Sequence, residues 1–153
     1  MTAFLTRRAV LLAPVAIAGC AAPPPPPAVL ALQLIGGGNQ NTDPAGTPTA
    51  VAIRLYDLAA TQKFDRADIF ALIEREKITL GADGLGMEEF VIAPGESRAI
   101  THAMKPGAKF VGIIAVFRDI DRAVWRATQA VAAEGTTRLE VRTDGISVKL
   151  KLG

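Results

Sequence analysis

Five consecutive prolines, Pro23–Pro27, set the first limit on what this chain can fold into. Such a run adopts the polyproline II conformation, has no N–H to give to a ladder, and joins no packed core. At roughly 3.1 Å per residue it is a stiff spacer of about 15 Å. The packed domain is therefore expected over residues 28–153, enough for one domain with a real core and too little for a second. Half of the 153 residues are hydrophobic and 21% are charged, which excludes a chain disordered throughout.

The residues before the prolines have a different purpose. Arg7 and Arg8 precede an uncharged apolar run, Ala9–Ala18. Ten residues span only about 15 Å as a helix, half a bilayer's hydrocarbon thickness. A basic start, a short apolar run and small residues at its end read as a signal peptide over residues 1–19. Thr6-Arg7-Arg8 is compatible with twin-arginine as well as general export. The signal ends in Ile17-Ala18-Gly19-Cys20, which resembles the lipobox of bacterial lipoproteins. That resemblance implies cleavage between Gly19 and Cys20, a thioether-linked diacylglycerol on Cys20, and an acylated amine carrying a chain such as palmitate. Residues 20–27 then form a lipidated Cys with its Pro-rich spacer. Each buried methylene is worth about 0.8 kcal/mol, so several chains on one residue make a permanent anchor. Ala21 in place of an aspartate leans toward the outer membrane. A Cys20→Ser variant is expected to stay unprocessed and unlipidated, read by gel mobility and labelled-fatty-acid incorporation.

Charge and cysteine usage narrow the chemistry. Arg7 and Arg8 account for the whole excess of 17 basic over 15 acidic residues, so the exported part is balanced. Nothing in that balance points to nucleic acid or a strongly acidic partner. Cys20 is the only cysteine, which rules out an intramolecular disulfide and a cysteine metal site.

From residue 28 the pattern is that of strands. Val29–Ile35 is a short apolar run closed by Gly36-Gly37-Gly38, and Ala50–Tyr56 alternates with Val51, Ile53 and Leu55 on one face. Met87–Ile92 is a third strand, ending in the type II turn chemistry of Ala93-Pro94-Gly95-Glu96. Ser97–Met104 is its expected return strand, closed by Lys105-Pro106-Gly107. Phe110–Phe117 is apolar on both parities and should lie centrally, covered on both faces. A two-residue Asp144-Gly145 loop predicts a type I′ hairpin pairing Thr143 with Ile146, Val141 with Val148 and Leu139 with Leu150. Glu140 then faces Lys149, and Arg142 faces Ser147. One helix is expected over Thr61–Lys77, capped by Asp65, with Phe64, Ile69, Leu72 and Ile73 on its apolar face. Asp119–Val124 reads as a turn. The fold class is mainly β, a two-sheet β-sandwich with a short helical insertion.

No catalytic constellation emerges. The lone His102 shares parity with Ile100 and Met104 and reads as a partly buried structural residue, too isolated for a Ser–His–Asp relay or a zinc site. Glu88 and Glu89 are adjacent in a strand and point to opposite faces. Gly36-Gly37-Gly38-Asn39 lacks the Lys-Ser/Thr and the helix of a phosphate loop. Arg118 and Arg126 beside Trp125 read as solvated arginines around one structural Trp. No catalytic residue, metal ligand or cofactor is assigned. What remains is the polar connection Gly36–Thr49, whose fourteen residues far exceed a hairpin loop between adjacent strands. Connections of that length bind partners or are simply flexible.

Several blocks occur in order: the lipobox, Ile53-Arg54-Leu55-Tyr56-Asp57-Leu58, and Phe64-x-x-Ala67-Asp68-Ile69-Phe70-x-Leu72. Leu80-Gly81-Ala82-Asp83, Ala93-Pro94-Gly95, Val111–Arg118 and Trp125-Arg126 follow. Together, over about residues 50–126, they resemble the TssJ family of type VI secretion outer-membrane lipoproteins. The resemblance implies a transthyretin-like β-sandwich, an outer-membrane anchor facing the periplasm, and a structural role. It implies binding to the periplasmic C-terminal region of the inner-membrane protein TssM, which works with TssL. The family's contact element is the loop joining the first two strands, here Gly36, Gly37, Gly38, Asn39, Gln40, Asn41, Thr42, Asp43 and Pro44 in its first part. Two other readings stay open. A transthyretin-like hydrolase of hydroxyisourate needs several His and Arg, and one His argues against it. An envelope lipoprotein with an unrelated adhesion, stress or assembly role would share the sandwich.

Overall fold

The computed structural model describes residues 26–153; Gly19, Cys20, the signal segment and most of the proline spacer lie outside the described residues. Eight strands follow in chain order: β1 Val29–Gly36, β2 Val51–Leu58, β3 Gly84–Ile92, β4 Ser97–Ala103, β5 Phe110–Val116, β6 Arg126–Ala130, β7 Thr136–Asp144 and β8 Ser147–Leu152. They form two four-stranded sheets, ordered β4-β1-β7-β8 and β3-β2-β5-β6. All pairings are antiparallel except β1 with β7. Leu30, Leu32 and Leu34 of β1 face Val51, Ile53 and Leu55 of β2 across a buried core that also takes Val111, Ile113, Leu139 and Val141. The alternation in Ala50–Tyr56 produces this layering, because side chains of period two fall on one face.

The helical insertion covers the outer face of the second sheet. It is three short helices, not the single one expected: α1 Gln62–Arg66, α2 Ile69–Glu74 and α3 Glu76–Leu80, followed by a 3₁₀ turn at Gly81–Asp83. Asp68, not Asp65, is the effective cap. Its backbone is extended, and its side chain accepts from the Ala71 N–H at 2.9 Å. An Asp at that point offers the backbone a competing hydrogen bond, which ends one helix and starts the next. The break lets Phe64, Ile69 and Leu72 all bury against Tyr56, Leu58 and Ile114. Both faces of β5 are thereby covered, as its double apolar parity predicts. Gly112 is needed there, since a Cβ would lie 2.8 Å from Phe64 Cζ.

Two connections differ from expectation in the same way. β1 and β2 lie in different sheets, so Gly36–Thr49 is a crossover between layers. The Ala93–Glu96 turn, with Gly95 at φ 72°, also changes sheets. β4 therefore pairs with β1 and is not a return strand for β3. The final hairpin forms, but its register is displaced. Asp144 pairs with Ser147, Thr143 with Val148, Val141 with Leu150 and Leu139 with Leu152, while Glu140 meets Lys151 and Arg142 meets Lys149. The loop residues are Gly145 and Ile146, and only Gly145 has positive φ, at 54°. Glycine first in a two-residue loop is type II′ chemistry, and the displacement keeps every side chain on its expected face. Contacts outside the hairpin select this register: Asn41 N donates to Gly145 O at 2.7 Å, and Val124 N to Ile146 O at 3.0 Å.

The chain enters at one pole of the sandwich, where Val29 N donates to Gly135 O and Met104 N to Ala28 O. β1 then carries it to the opposite pole, roughly 25 Å away at about 3.3 Å per residue. There the Gly36–Thr49 crossover meets the Ala93–Glu96 turn, the β7–β8 turn and the Phe117–Val124 connection. Among the described residues no helix is long and apolar enough to cross a membrane.

Candidate functional site

The crossover at the far pole begins by wedging its backbone between two strand ends. Gly36 N donates to Glu96 O at 2.8 Å and Gly37 N to Thr143 O at 2.8 Å. A Cβ at Gly36 would fall 2.2 Å from Ala93 O, and one at Gly37 2.6 Å from Thr143 O. The glycines are there for close backbone approach, with no phosphate cradle involved. Gly38 and Asn39 are exposed, and Asn39 Oδ1 accepts from Gly145 N at 3.3 Å.

Gln40 and Asn41 turn inward. Gln40 is 0% exposed; its Nε2 donates to Ile92 O at 2.9 Å and Thr49 O at 3.2 Å, and its Oε1 accepts from the Thr143 hydroxyl. Asn41 is 5% exposed at φ 44°, and its Nδ2 donates to Thr49 Oγ1 and Ala50 O, each at 3.0 Å. Both belong to the expected contact set, and the structure buries them. A crossover buried at its base must satisfy its own polar groups, and these two amides do so. The accessible part is the stretch that follows: Thr42, Pro44, Ala45, Gly46 and Thr47 are exposed. Asp43 organises it from within, its Oδ1 accepting from Ala45 N at 2.9 Å and Thr47 N at 2.8 Å.

The second wall of this pole comes from the connection after β5. Between Thr42–Pro44 and Arg118, Asp119 and Arg122 lies an open cleft of about 530 Å³. Arg122 Nε hydrogen-bonds Asp119 at 2.6 Å and holds that carboxyl below its ordinary value. Asn41 Oδ1 accepts from Arg118 N at 2.8 Å, tying the two walls together. The arrangement is an internally hydrogen-bonded, mostly uncharged projection beside a mixed-charge cleft. It suits recognition of a protein surface and holds no group positioned to move a proton or attack a bond.

Away from the pole, His102 is less isolated than its sequence context implies. Its Nε2 lies 2.9 Å from Asp57 Oδ1 and its Nδ1 2.7 Å from Glu88 Oε2. With both nitrogens facing carboxylates, the ring has no position left for a nucleophile's proton, so the cluster is structural. Asp57 carries a signal in the sequence, because an acid there continues the inward parity of Val51, Ile53 and Leu55. Glu88 and Glu89 do diverge, Glu89 pairing with Arg54 at 2.6 Å. Arg126 corrects the reading of solvated arginines. Its guanidinium carbon sits 4.5 Å from the centre of the Trp125 ring, and Nη1 donates to Phe64 O at 2.8 Å and Ala67 O at 2.9 Å. It thus satisfies carbonyls freed where α1 ends. Burial pushes the Tyr56 phenol above its ordinary value while its hydroxyl donates to Leu72 O. Among the described residues no group of three His, Cys, Asp or Glu side chains is placed to hold a metal ion.

Comparison with known proteins bears on the family and the fold. The family model described as Type VI secretion lipoprotein, VasD, EvfM, TssJ matches residues 28–146. The T6SS lipoprotein TssJ1 from Pseudomonas aeruginosa is 32% identical with a TM-score of 0.80, covering 84% of this chain and 98% of that one. A chain of a structure described as a type VI membrane complex is 27% identical with a TM-score of 0.68, over 80% and 97% of the two chains. A chain of the structure described as T6SS protein TssM C-terminal domain (869-1107) from EAEC is 28% identical with a TM-score of 0.65, over 80% and 99%. No curated protein matches the sequence.

Proposed function

Because this chain belongs to the TssJ family of type VI secretion lipoproteins, we propose that it is the outer-membrane anchor of the secretion system's membrane complex and clasps TssM through the Gly36–Thr49 loop. It is a lipoprotein component of that complex and not an enzyme. Cys20 carries the lipid and the proline run lifts the domain from the headgroups. The periplasmic C-terminal region of TssM is the direct partner, with TssL in the same assembly.

The observation that carries this reading is polarity. The tether enters at one pole, and the ordered, accessible loop projects from the other, as a link between two membranes requires. The structure described for the TssM C-terminal domain adds support. Nearly all of the matched chain there aligns with four-fifths of this one.

The test replaces Thr42–Thr47 with a Gly-Ser segment of equal length and measures capture of the periplasmic C-terminal region of TssM by the membrane-extracted lipoprotein. Capture is expected to disappear while thermal unfolding stays within a few degrees of the parent. Undiminished affinity discards the loop as the contact element.

A further inference from the structure

We propose that Asn41 is a positioning residue for partner binding: it touches no partner, and it sets the fraction of molecules whose loop is ready to bind. The proposal rests on the loop assignment above. Every polar group of Asn41 is engaged. Its N–H donates to Gly145 O at 2.7 Å, and its carbonyl accepts from Thr49 Oγ1 at 2.6 Å. Its Nδ2 donates to Thr49 Oγ1 and Ala50 O, and its Oδ1 accepts from Arg118 N. One side chain thus joins the base of the loop, the entry to β2 and the connection after β5, while its backbone holds the β7–β8 turn.

The exposed stretch hangs from this residue. Thr42 follows it directly, and the Asp43 turn returns the chain to Thr47, whose carbonyl accepts from Asp43 N at 2.8 Å. The accessible side chains are Thr42, Pro44, Ala45 and Thr47, none of them long or charged. Such a surface offers no strong anchor that could pull a disordered loop into shape. Its affinity then depends on the shape being present beforehand, and the apparent dissociation constant rises in inverse proportion to the ordered fraction. At φ 44° Asn41 is in the left-handed region that Asn tolerates and Gly enters freely. Asn41→Gly therefore removes the side-chain bonds while leaving the backbone conformation accessible.

The experiment measures, on the full lipoprotein in detergent micelles, amide exchange of Ala45 and Thr47 and the affinity for the periplasmic C-terminal region of TssM. Asn41→Gly should bring exchange of these amides close to the unprotected rate and weaken binding by the reciprocal of the ordered fraction that remains, on the order of 10-fold for about a tenth still ordered, mainly through slower association. Faster exchange with unchanged affinity overturns the proposal, as does unchanged exchange. Thr49→Val, which removes the hydroxyl that joins the Asn41 side-chain Nδ2 to its backbone carbonyl, should give a smaller change of the same kind. It decides the matter should Asn41→Gly fail to fold, and unchanged exchange or affinity in it overturns the proposal equally. If instead the Gly-Ser replacement of Thr42–Thr47 binds like the parent, the loop assignment itself falls.

Discussion

Replacing Phe64 with alanine is expected to destabilise the domain by about 3–5 kcal/mol and to release the helical insertion before the rest unfolds. Phe64 is 0% exposed, and its ring fills the space that Gly112 leaves open on the outer face of β5. It meets the Tyr56 ring at 5.4 Å between centroids with a tilt of 57°, a geometry worth somewhat more than area burial alone. The cavity left behind cannot collapse readily, because Gly112 brings no side chain to fill it. Arg126 would also lose a well-placed acceptor, since the Phe64 carbonyl it holds is fixed by that side chain's burial. Urea unfolding should report the loss, and the midpoint of thermal unfolding should fall by about 10–20 °C. Amides of Gln62–Arg66 should exchange early. A loss below about 1 kcal/mol would mean that the insertion is peripheral and that β5 is covered by other means.

Asp57→Ala is the second large effect, expected at about 2–4 kcal/mol. Asp57 is 1% exposed at the end of β2, beside a bulge at Asp57/Leu58. Its two oxygens both hold the end of β4: Oδ1 meets His102 Nε2 at 2.9 Å, and Oδ2 accepts from Lys105 N, just past the strand, at 3.0 Å. Alanine would strand both groups in a place with little water, which costs more than the contacts themselves contribute. The cluster also joins the two sheets along the side where β3 and β4 face each other, with His102 reaching Glu88 and Arg98 donating to Val91 O. The opposite side is already stitched by backbone bonds of Val124 with Ile146 and Val148. A double-mutant cycle with His102→Gln should show coupling of about 0.5–3 kcal/mol. Additive losses would mean that apolar packing alone holds that side closed.

Much of the architecture was legible from local pattern. Alternation placed Val51, Ile53 and Leu55 in the core, and double parity placed β5 in the interior of its sheet. The Pro-Gly and Asp-Gly signals marked real turns. The helical stretch was seen but joined into one piece, because apolar spacing runs on through Asp68 while the cap depends on where that side chain finds an N–H. The Gly36–Thr49 connection stands out by its length and polarity, while its role as a partner contact comes only from the family resemblance. Its internal division was not visible, since Gln40 and Asn41 look as solvent-loving in a sequence as Thr42 and Thr47 do.

The amino-acid sequence alone determined which strand residues face inward and where the chain turns. Those properties depend on periodicity and backbone preference, which act over a few neighbours. Only the tertiary structure decided which strands pair, the register of the last hairpin, the burial of the two loop amides, and the meeting of Asp57, His102 and Glu88. Each of those is a contact between residues far apart in the chain, where the need to satisfy a buried polar group outweighs what its neighbours prefer.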